Sequence, residues 1–365
     1  MSRAERDAAY MRLALAEAER GRGTTAPNPM VGCIVVAGNE IVGRGFHERA
    51  GEPHAEVFAL REAGDRARGA EVFVTLEPCS HHGRTPPCAD ALVDAGVGRV
   101  VAAMIDPNPK VSGRGIVRLR EAGIEVSVGV CGAEAARLNE GFVTVVTRGR
   151  PFVTLKLAMS LDGRIAARGG VSQWISGEAA RRRVQVWRSE HDGVLVGTGT
   201  LLCDDPRLTV RDLPVRRQPR RFVLDRCLRA PARRVFDVSE APTTVFCGGE
   251  APDARRRELE ALGVEVVELP AVPGGLDLRA ALASMVPHGV MTLLVEGGGE
   301  VAGALRDADL IDRCRFFVAP MLLGGRDASA AVAGLGAASP QSATRFSSWR
   351  VEQVEGDLLI EADLR

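Results

Sequence analysis

Residues 53–88 read PHAEVFALREAGDRARGAEVFVTLEPCSHHGRTPPC, and the N-terminal half of the chain is organised around this stretch. It contains His54 and, further along, Cys79 and Cys88, each of which follows a proline. One histidine and two cysteines can hold Zn²⁺ and leave its fourth position free for water, as in catalytic zinc sites. We therefore predict that these three residues bind one zinc ion per chain, with Glu56 as the adjacent proton carrier.

The order of these residues also indicates a class of chemistry. A His-x-Glu pair followed by Pro-Cys-x-x-Cys is typical of zinc-dependent nucleobase deaminases, in which the glutamate is the acid/base and is not a ligand. This chain departs from that pattern, because the eight residues Ser80–Pro87 separate its two cysteines. The alternative is a set of ordinary buried cysteines and surface histidines, but the glutamate, both prolines and all three ligands occur in the required order.

Length and composition predict a two-domain globular protein. The chain has 365 residues and a formal net charge of zero, without the basic excess that nucleic-acid binding usually brings. Its first residues are charged, and no apolar run approaches the roughly 18 residues of a membrane span. Its eight cysteines are scattered and do not form the framework of a secreted disulfide protein. We expect a cytoplasmic protein with no membrane or nucleic-acid partner.

Strand and helix patterns alternate along both halves, which predicts central sheets covered by helices. The first half opens with a helix over residues 3–20 and closes with a helix from Ala133 to about Val146. A short polar segment, Thr147–Pro151, then forms the boundary between predicted domains at 1–147 and 151–365. The second half ends in a hairpin formed by residues 350–364.

A glycine-rich turn in the second half could hold a phosphate. Gly297-Gly-Gly-Glu-Val-Ala302 fits G-x-G-x-x-A between a predicted strand and a helix. It lies near the end of the chain, whereas the corresponding turn opens a Rossmann sheet, and no acidic residue ends the next strand. A Rossmann fold is therefore disfavoured, and a tight turn without a ligand remains the alternative.

Two polar clusters are predicted at strand ends of the second half. One contains Lys156, Ser160 and Asp162, and the other runs from Thr198 to Arg211. Arginines beside glycine-rich turns suit a phosphorylated substrate or cofactor, although each cluster alone would be read as a solvated loop. Of the 47 basic residues only two are lysines. This rarity raises the question of whether arginine would fail at the position of Lys156.

With these residues in view, the chain resembles the bifunctional riboflavin-biosynthesis deaminase/reductase family over nearly its whole length. In this family a long insert between the two cysteines separates its members from cytidine and tRNA-adenosine deaminases. The motifs that carry the resemblance are Ala26-Pro-Asn-Pro-Met-Val-Gly32, Gly51-Glu-Pro-His-Ala-Glu56, Thr75-Leu-Glu-Pro-Cys79, Gly83-Arg-Thr-Pro-Pro-Cys88, Lys156-Leu-Ala-Met-Ser-Leu-Asp-Gly163, Ser172-Gln-Trp-Ile-Ser176, Val196-Gly-Thr-Gly-Thr200, Asp204-Asp-Pro-Arg-Leu-Thr-Val-Arg211 and Val295-Glu-Gly-Gly298.

The resemblance implies a cytidine-deaminase-like α/β/α domain followed by a dihydrofolate-reductase-like α/β domain. The first would deaminate a phosphorylated diaminopyrimidinone ribosylamine, and the second would use NADPH to reduce the opened ribose to ribitol. In the deaminase, Asn28, His47, His81, His82 and Arg84 would bind substrate, and a fourth zinc ligand from His81 or His82 is the structural alternative.

Family positions in the reductase divide between its two ligands. Those expected to bind substrate are Ser172, Arg188, Leu208, Arg211 and Glu296. Those expected to bind NADPH are Ala158, Trp174, Thr200, Asp204, Gly298 and Gly299. We hypothesise that Lys156 polarises the sugar carbonyl or protonates the new alkoxide, and the alternative is a structural pair with Asp162. We also expect a homo-oligomer, either a dimer or a tetramer.

Two other classes of function remain as rivals. In one, the first half is a nucleic-acid or free-nucleoside deaminase and the second a binding or regulatory domain. The 4% aromatic content and zero net charge argue against a nucleic-acid partner. In the other, the zinc is purely structural, which would require a fourth protein ligand.

Overall fold

The computed structural model describes residues 2–80, 87–109, 111–272 and 275–364. The chain forms two compact units, Met1–Gly149 and Arg150–Arg365. Within the described residues, no helix is both long and apolar enough to cross a bilayer.

The N-terminal unit is a five-stranded sheet with helices on both faces. In chain order its elements are α1 Arg3–Glu19, β1 Gly32–Ala37, β2 Glu40–Phe46, α2 Ala55–Ala63, β3 Glu71–Val74, α3 Cys88–Asp94, β4 Arg99–Ala102, α4 Arg114–Glu121, β5 Glu125–Val128, α5 Gly132–Leu138 and α6 Glu140–Arg148. The strand order is β2-β1-β3-β4-β5. β1 pairs antiparallel with β2 and β3, and β3, β4 and β5 are parallel.

Alternation along the buried strands divides the core of this unit into two layers. Ile34 and Val36 of β1 pack with Met11 of α1, whereas Cys33 and Val35 pack on the other face with α2, α3 and α4. The predicted α/β/α arrangement is confirmed. The single helix predicted from Ala133 is wrong, because the chain forms α5 and α6, which meet at a non-helical Asn139.

The C-terminal unit has a nine-stranded mixed sheet. Its elements are β6 Phe152–Ser160, α7 Glu178–Glu190, β7 Gly193–Gly197, α8 Thr198–Asp204, β8 Arg220–Leu224, β9 Thr243–Cys247, α9 Asp253–Ala261, β10 Glu265–Glu268, β11 Ala271–Val272, β12 Gly275–Leu276, α10 Leu278–Met285, β13 Thr292–Val295, α11 Gly299–Asp307, β14 Arg313–Ala319, β15 Ser348–Val354 and β16 Asp357–Asp363. The order of the large sheet is β10-β9-β8-β7-β13-β6-β14-β16-β15.

In the large sheet, neighbouring strands from β10 to β14 pair in parallel. β16 then pairs antiparallel with β14 on one side and with β15 on the other. The first strand, β6, lies between the late strands β13 and β14, and the glycine-rich turn follows β13. This order differs from that of a Rossmann sheet, as predicted. The short helix α8 was not predicted, because Thr-Gly-Thr has low helix propensity.

Candidate active sites

The three predicted zinc ligands converge in the N-terminal unit. His54 is the N-cap residue of α2, Cys88 is the first residue of α3, and Cys79 lies beyond the end of β3. His54 Nδ1 lies 3.1 Å from Cys88 Sγ and 3.5 Å from Cys79 Sγ. The three ligand atoms lie within 4.8 Å of one another, so one ion could touch all of them. This donor set and spacing fit a zinc ion bound by one nitrogen and two sulfurs.

The polar surroundings of these ligands favour a thiolate. Cys79 accepts a hydrogen bond from the Cys88 thiol, which holds the pKa of Cys79 at about 4, and the His54 ring also lowers it. The same hydrogen bond and burial raise the pKa of Cys88. The backbone N–H of Cys88 also donates to Cys79 Sγ at 3.3 Å. Cys79 is therefore ready to bind a metal, and the metal would displace the proton that Cys88 holds.

Glu56 is buried in the first turn of α2, two residues beyond His54. Burial raises the pKa of its carboxyl to about 7, and the negative charge of Cys79 adds to the shift. A carboxyl with such a pKa can both take and give a proton near neutral pH. The predicted acid/base therefore lies next to the ligands in a suitable environment.

Asn28 and His47 form a pair beside the zinc ligands. Asn28 Nδ2 lies 3.0 Å from His47 Nε2, and His47 Nδ1 lies 3.2 Å from the carbonyl oxygen of Pro53. The His47 ring packs edge-on against His54, with centroids 5.4 Å apart. Burial lowers the pKa of His47, which favours the neutral ring. The other predicted substrate residues of this unit, His81, His82 and Arg84, lie outside the described residues.

Asn139 supports this site, although sequence reasoning missed it. Its side chain accepts from Met30 N at 2.8 Å and donates to Met30 O at 2.9 Å. It thereby fixes the backbone two residues beyond Asn28, and it is only 3% exposed. The available signal was a polar residue inside an otherwise helical pattern, but its partner lies 109 residues away.

A cavity of about 1550 Å³ lies in the C-terminal unit. Its walls include five of the predicted ligand-binding residues: Ser172, Thr200, Asp204, Gly298 and Gly299. α8 and the N-terminus of α11 lie close together here. A Cβ on Gly298, the N-cap residue of α11, would be in van der Waals contact with Thr200 Oγ1 of α8, at 3.6 Å. The cavity lies beyond the carboxyl ends of β7 and β13, where open α/β sheets bind ligands.

The glycines of this turn have different physical roles. A Cβ on Gly299 would lie 2.2 Å from the carbonyl oxygen of Ala330, so close backbone packing requires glycine there. Gly298 has no such backbone neighbour and borders the cavity. Close packing therefore accounts for the glycine at 299, while the cavity leaves room for a ligand at Gly298.

Lys156, Arg188 and Glu296 form a charged cluster in which the Arg188 and Glu296 side chains are almost fully covered and Lys156 is partly buried. Arg188 Nε and Nη2 donate to the two Glu296 carboxylate oxygens at 2.6 and 3.0 Å, and Nη1 donates to Thr209 O at 3.1 Å. Burial lowers the pKa of Lys156. The negative charge of Glu296 acts in the opposite direction and offsets only part of this shift. Burial raises the pKa of Glu296, but Arg188 outweighs it and the net shift is downward.

Lys156 lies inside β6, upstream of the strand end at which the sequence placed it. Among the described residues its ammonium has no direct hydrogen bond or ion pair. Asp162 instead accepts from Ser160 Oγ, Leu323 N and Gly324 N at 2.6, 3.0 and 2.7 Å. The alternative of a structural Lys156–Asp162 pair is therefore wrong.

The other residues predicted for the reductase site differ in their contacts. Ser172 Oγ donates to Asp204 Oδ1 at 2.8 Å, which joins an expected substrate residue to an expected cofactor residue. Leu208 is buried and adopts a φ of 58°, a strained conformation that clusters at functional sites. Arg211 is exposed, and its backbone N–H donates to Gln185 Oε1 at 2.9 Å.

The two remaining predicted cofactor residues differ in exposure. Trp174 is exposed, with the Arg181 guanidinium 4.5 Å from its ring centroid. Ala158, on β6, is partly buried against the core. Neither residue lines the 1550 Å³ cavity.

Comparison with known proteins identifies relatives of both units. A family model described as the cytidine and deoxycytidylate deaminase zinc-binding region matches residues 4–104, and one described as the RibD C-terminal domain matches residues 151–360. The riboflavin biosynthesis protein RibD of Aquifex aeolicus is 44% identical over 357 residues, covering 98% of each chain. That of Escherichia coli K12 is 48% identical over 325 residues, covering 87% of this chain and 89% of the relative.

Solved structures agree with these relatives. Acinetobacter baumannii RibD superposes with a TM-score of 0.88 at 41% identity, covering 99% of each chain. A diaminohydroxyphosphoribosylaminopyrimidine deaminase/5-amino-6-(5-phosphoribosylamino)uracil reductase from Thermotoga maritima superposes with a TM-score of 0.86 at 35% identity, again covering 99% of each chain. The similarity extends over both units.

Proposed function

The chain belongs to the RibD family of riboflavin biosynthesis proteins, and from this premise we propose the substrates of its two sites. The N-terminal unit deaminates 2,5-diamino-6-(5-phosphoribosylamino)pyrimidin-4(3H)-one, and the C-terminal unit reduces the ribosyl group of the product to ribityl with NADPH. The chain is a bifunctional deaminase and reductase, which sets aside the nucleic-acid deaminase and structural-zinc readings. The convergence of His54, Cys79, Cys88 and Glu56 is the observation that carries the deaminase assignment.

In the deaminase, Glu56 transfers the protons. Zinc, when bound by the three ligands, supplies Lewis-acid chemistry that makes water a nucleophile near neutral pH. Glu56 takes a proton from the attacking water as its oxygen adds to the ring carbon that carries the amino group, and it passes this proton to the ring nitrogen. It then takes the second proton from the added hydroxyl and gives it to the departing amine, so that ammonia leaves and the uracil forms. Asn28 and His47 bind the pyrimidine and orient it beside Glu56.

In the reductase, Lys156 is placed beside Arg188 and Glu296 as a proton donor. NADPH, when bound, would supply the hydride that reduces the opened sugar. The group that receives the released electron pair then needs a proton, and Lys156 is our candidate donor. Its partly desolvated ammonium has no competing ion pair among the described residues. Arg188 and Glu296 hold each other in place, and Glu296 helps to keep Lys156 charged.

Replacing Glu56 with Gln tests the two-site assignment. We expect Glu56→Gln to abolish ammonia release, because glutamine cannot carry the proton, while NADPH oxidation with the deaminated substrate stays at the wild-type rate. Lys156→Met should show the opposite pattern. Loss of both activities in Glu56→Gln, with folding intact, would contradict two separate sites.

We further propose that the chain forms a homo-oligomer. The edge strand β15 exposes Trp349 and Val351 on one face, 70% and 49% accessible, and Leu358 of β16 continues this apolar surface. Such an edge invites pairing with another chain. Sedimentation velocity of Trp349→Glu should show a smaller species than wild type, and a monomeric wild type would refute the proposal.

The thiol chemistry supports a reducing, cytoplasmic location. All eight cysteines are free, and the zinc site requires two of them as thiolates. Cell fractionation should therefore recover the enzyme, with zinc bound, in the cytoplasmic fraction.

A further inference from the structure

Glu77 is a buried carboxylate two residues before the zinc ligand Cys79. It is 4% exposed, and both of its oxygens accept backbone hydrogen bonds. Oε2 accepts from Asp106 N at 3.1 Å and from Gly113 N at 2.8 Å. Oε1 accepts from Gly115 N at 2.9 Å and from Ile116 N at 3.4 Å. One side chain thus holds the segment after β4 and the start of α4.

These contacts compensate for a missing helix cap. The N-cap residue of α4 is Gly113, which has no side chain to satisfy the first N–H groups of the helix. Glu77 supplies that acceptor from another part of the chain, and its negative charge is favourable at a helix N-terminus. The interaction works in both directions, because the helix start also fixes where residue 77 lies.

The backbone of the zinc segment packs directly on the same helix start. A Cβ on Gly115 would lie 1.9 Å from the carbonyl oxygen of Pro78, so only glycine permits this approach. Glu77 N also donates to Met104 O at 3.0 Å. The residues immediately before Cys79 are therefore held by backbone contacts on one side and by the Glu77 carboxylate on the other.

We propose that Glu77 is a positioning residue of the deaminase, which sets the location of the Cys79 thiolate by holding the 77–79 backbone against α4. This inference rests on the proposed zinc site. Glu77 does not touch the ligand atoms, and it acts only through the backbone that leads to Cys79. Groups that orient metal ligands in this way typically change metal affinity about 10- to 100-fold when they are altered.

The substitution Glu77→Gln tests the role of the carboxylate. The side chains have nearly the same shape, but the amide would turn an NH₂ group toward backbone donors and lose two acceptor sites. We expect zinc affinity, measured by competition with a chromophoric chelator, to fall about 10- to 100-fold. NADPH oxidation with the deaminated substrate, measured on the same preparation, should not change.

Two matched variants separate positioning from general stability. Gly115→Ala keeps the carboxylate but disturbs the Pro78 contact, and its added Cβ would also lie 3.3 Å from Glu77 Oε1, so it should also weaken zinc binding. Asp7→Asn weakens the buried pair with Arg99 at the start of β4, and it should lower the melting temperature with zinc affinity unchanged. Affinities are compared at temperatures where each variant is folded by circular dichroism.

The outcomes distinguish the inference from its premise. Wild-type zinc affinity in Glu77→Gln would overturn the role of Glu77. The role would also be overturned if Asp7→Asn, at a loss of stability equal to that of Glu77→Gln, lost as much zinc affinity. Failure of the wild-type chain to bind zinc would instead refute the proposed metal site. Zinc loss in Gly115→Ala but not in Glu77→Gln would assign the positioning to backbone packing alone and overturn the inference.

Discussion

Lys156 is a partly buried residue of a β-strand, close to the Arg188–Glu296 pair. An arginine there would stay protonated at every accessible pH, whereas burial lowers the pKa of a lysine and lets it release a proton. This difference gives a physical reason for a lysine in a chain whose other basic residues are almost all arginine.

The pH dependence of the reductase should show this shift. The proton donor must be charged, so the rate should fall as pH rises through the pKa of Lys156, which lies below the usual lysine value of 10.5. We expect Lys156→Arg to lower kcat and to remove this alkaline decline, measured by NADPH oxidation with the deaminated substrate. Lys110→Arg, in the other unit, is the control. An unchanged profile in Lys156→Arg would show that another group donates the proton.

The sequence predicted which residue types would act at each site, but the contacts of single residues required the structure. Glu56 was recognised because it lies two positions from His54 in a known pattern. The partner of Asp162 could not be predicted, since Leu323 N lies 161 residues away. Local spacing identifies chemistry, whereas distant backbone donors become visible only after folding.

At the scale of elements, two close contacts place the deaminase groups. A Cβ on Gly45 of β2 would lie 2.2 Å from the carbonyl oxygen of Ala55, in the first turn of α2. The glycine lets α2, whose N-cap residue is His54, lie directly on the sheet. The side chain of Asn139 likewise ties the junction of α5 and α6 to Met30.

Gly45→Ala should displace the start of α2. The added methyl group has no space, and overpacking of this kind costs about 1–3 kcal/mol. We expect lower thermal stability, measured by calorimetry, together with reduced ammonia release, because His54 and Glu56 move with the helix. Gly356→Ala, where a Cβ meets nothing within 4 Å, is the control. Equal stability of the two variants would show that α2 adjusts without cost.

Asn139→Ala should loosen the segment that carries Asn28. Two buried hydrogen bonds to Met30 are lost, and each unsatisfied group costs about 1–3 kcal/mol. We expect the KM of the deaminase to rise more than kcat falls, since Asn28 contacts substrate in our proposal. Thr144→Val, which removes a hydrogen bond to Glu140 within α6, is the matched control. The same rise in KM in Thr144→Val would point to general destabilisation.

The sequence predicted the order of strands and helices better than their ends and junctions. Periodicity and apolar runs identified the strands of both sheets. They did not reveal α8, whose Thr-Gly-Thr start favours a turn, or the break at Asn139. Both departures follow from contacts with other segments, which override local propensity.

At the scale of the whole molecule, each unit has its own core and its own candidate site. The three predicted zinc ligands all belong to Met1–Gly149, and Lys156, Arg188 and Glu296 all belong to Arg150–Arg365. The two reactions should therefore respond separately to removal of the metal.

A strong chelator should stop one reaction and spare the other. We expect ammonia release to cease on removal of zinc, while NADPH oxidation with the deaminated substrate continues, and added zinc should restore ammonia release. Glu56→Gln treated in the same way should show no recovery with zinc, which controls for metal effects elsewhere. Parallel loss of both activities on chelation would contradict independent sites.

The sequence alone predicted the three zinc ligands and the acid/base Glu56, and it indicated the family and the alternation of strands and helices, because these depend on residue types at short spacings. The tertiary structure decided that Glu77 holds the start of α4, that Arg188 pairs with Glu296, and that Asp162 binds backbone N–H groups and does not pair with Lys156. Arg188 and Glu296 are 108 residues apart, and only the packing of the sheet brings their charges into contact.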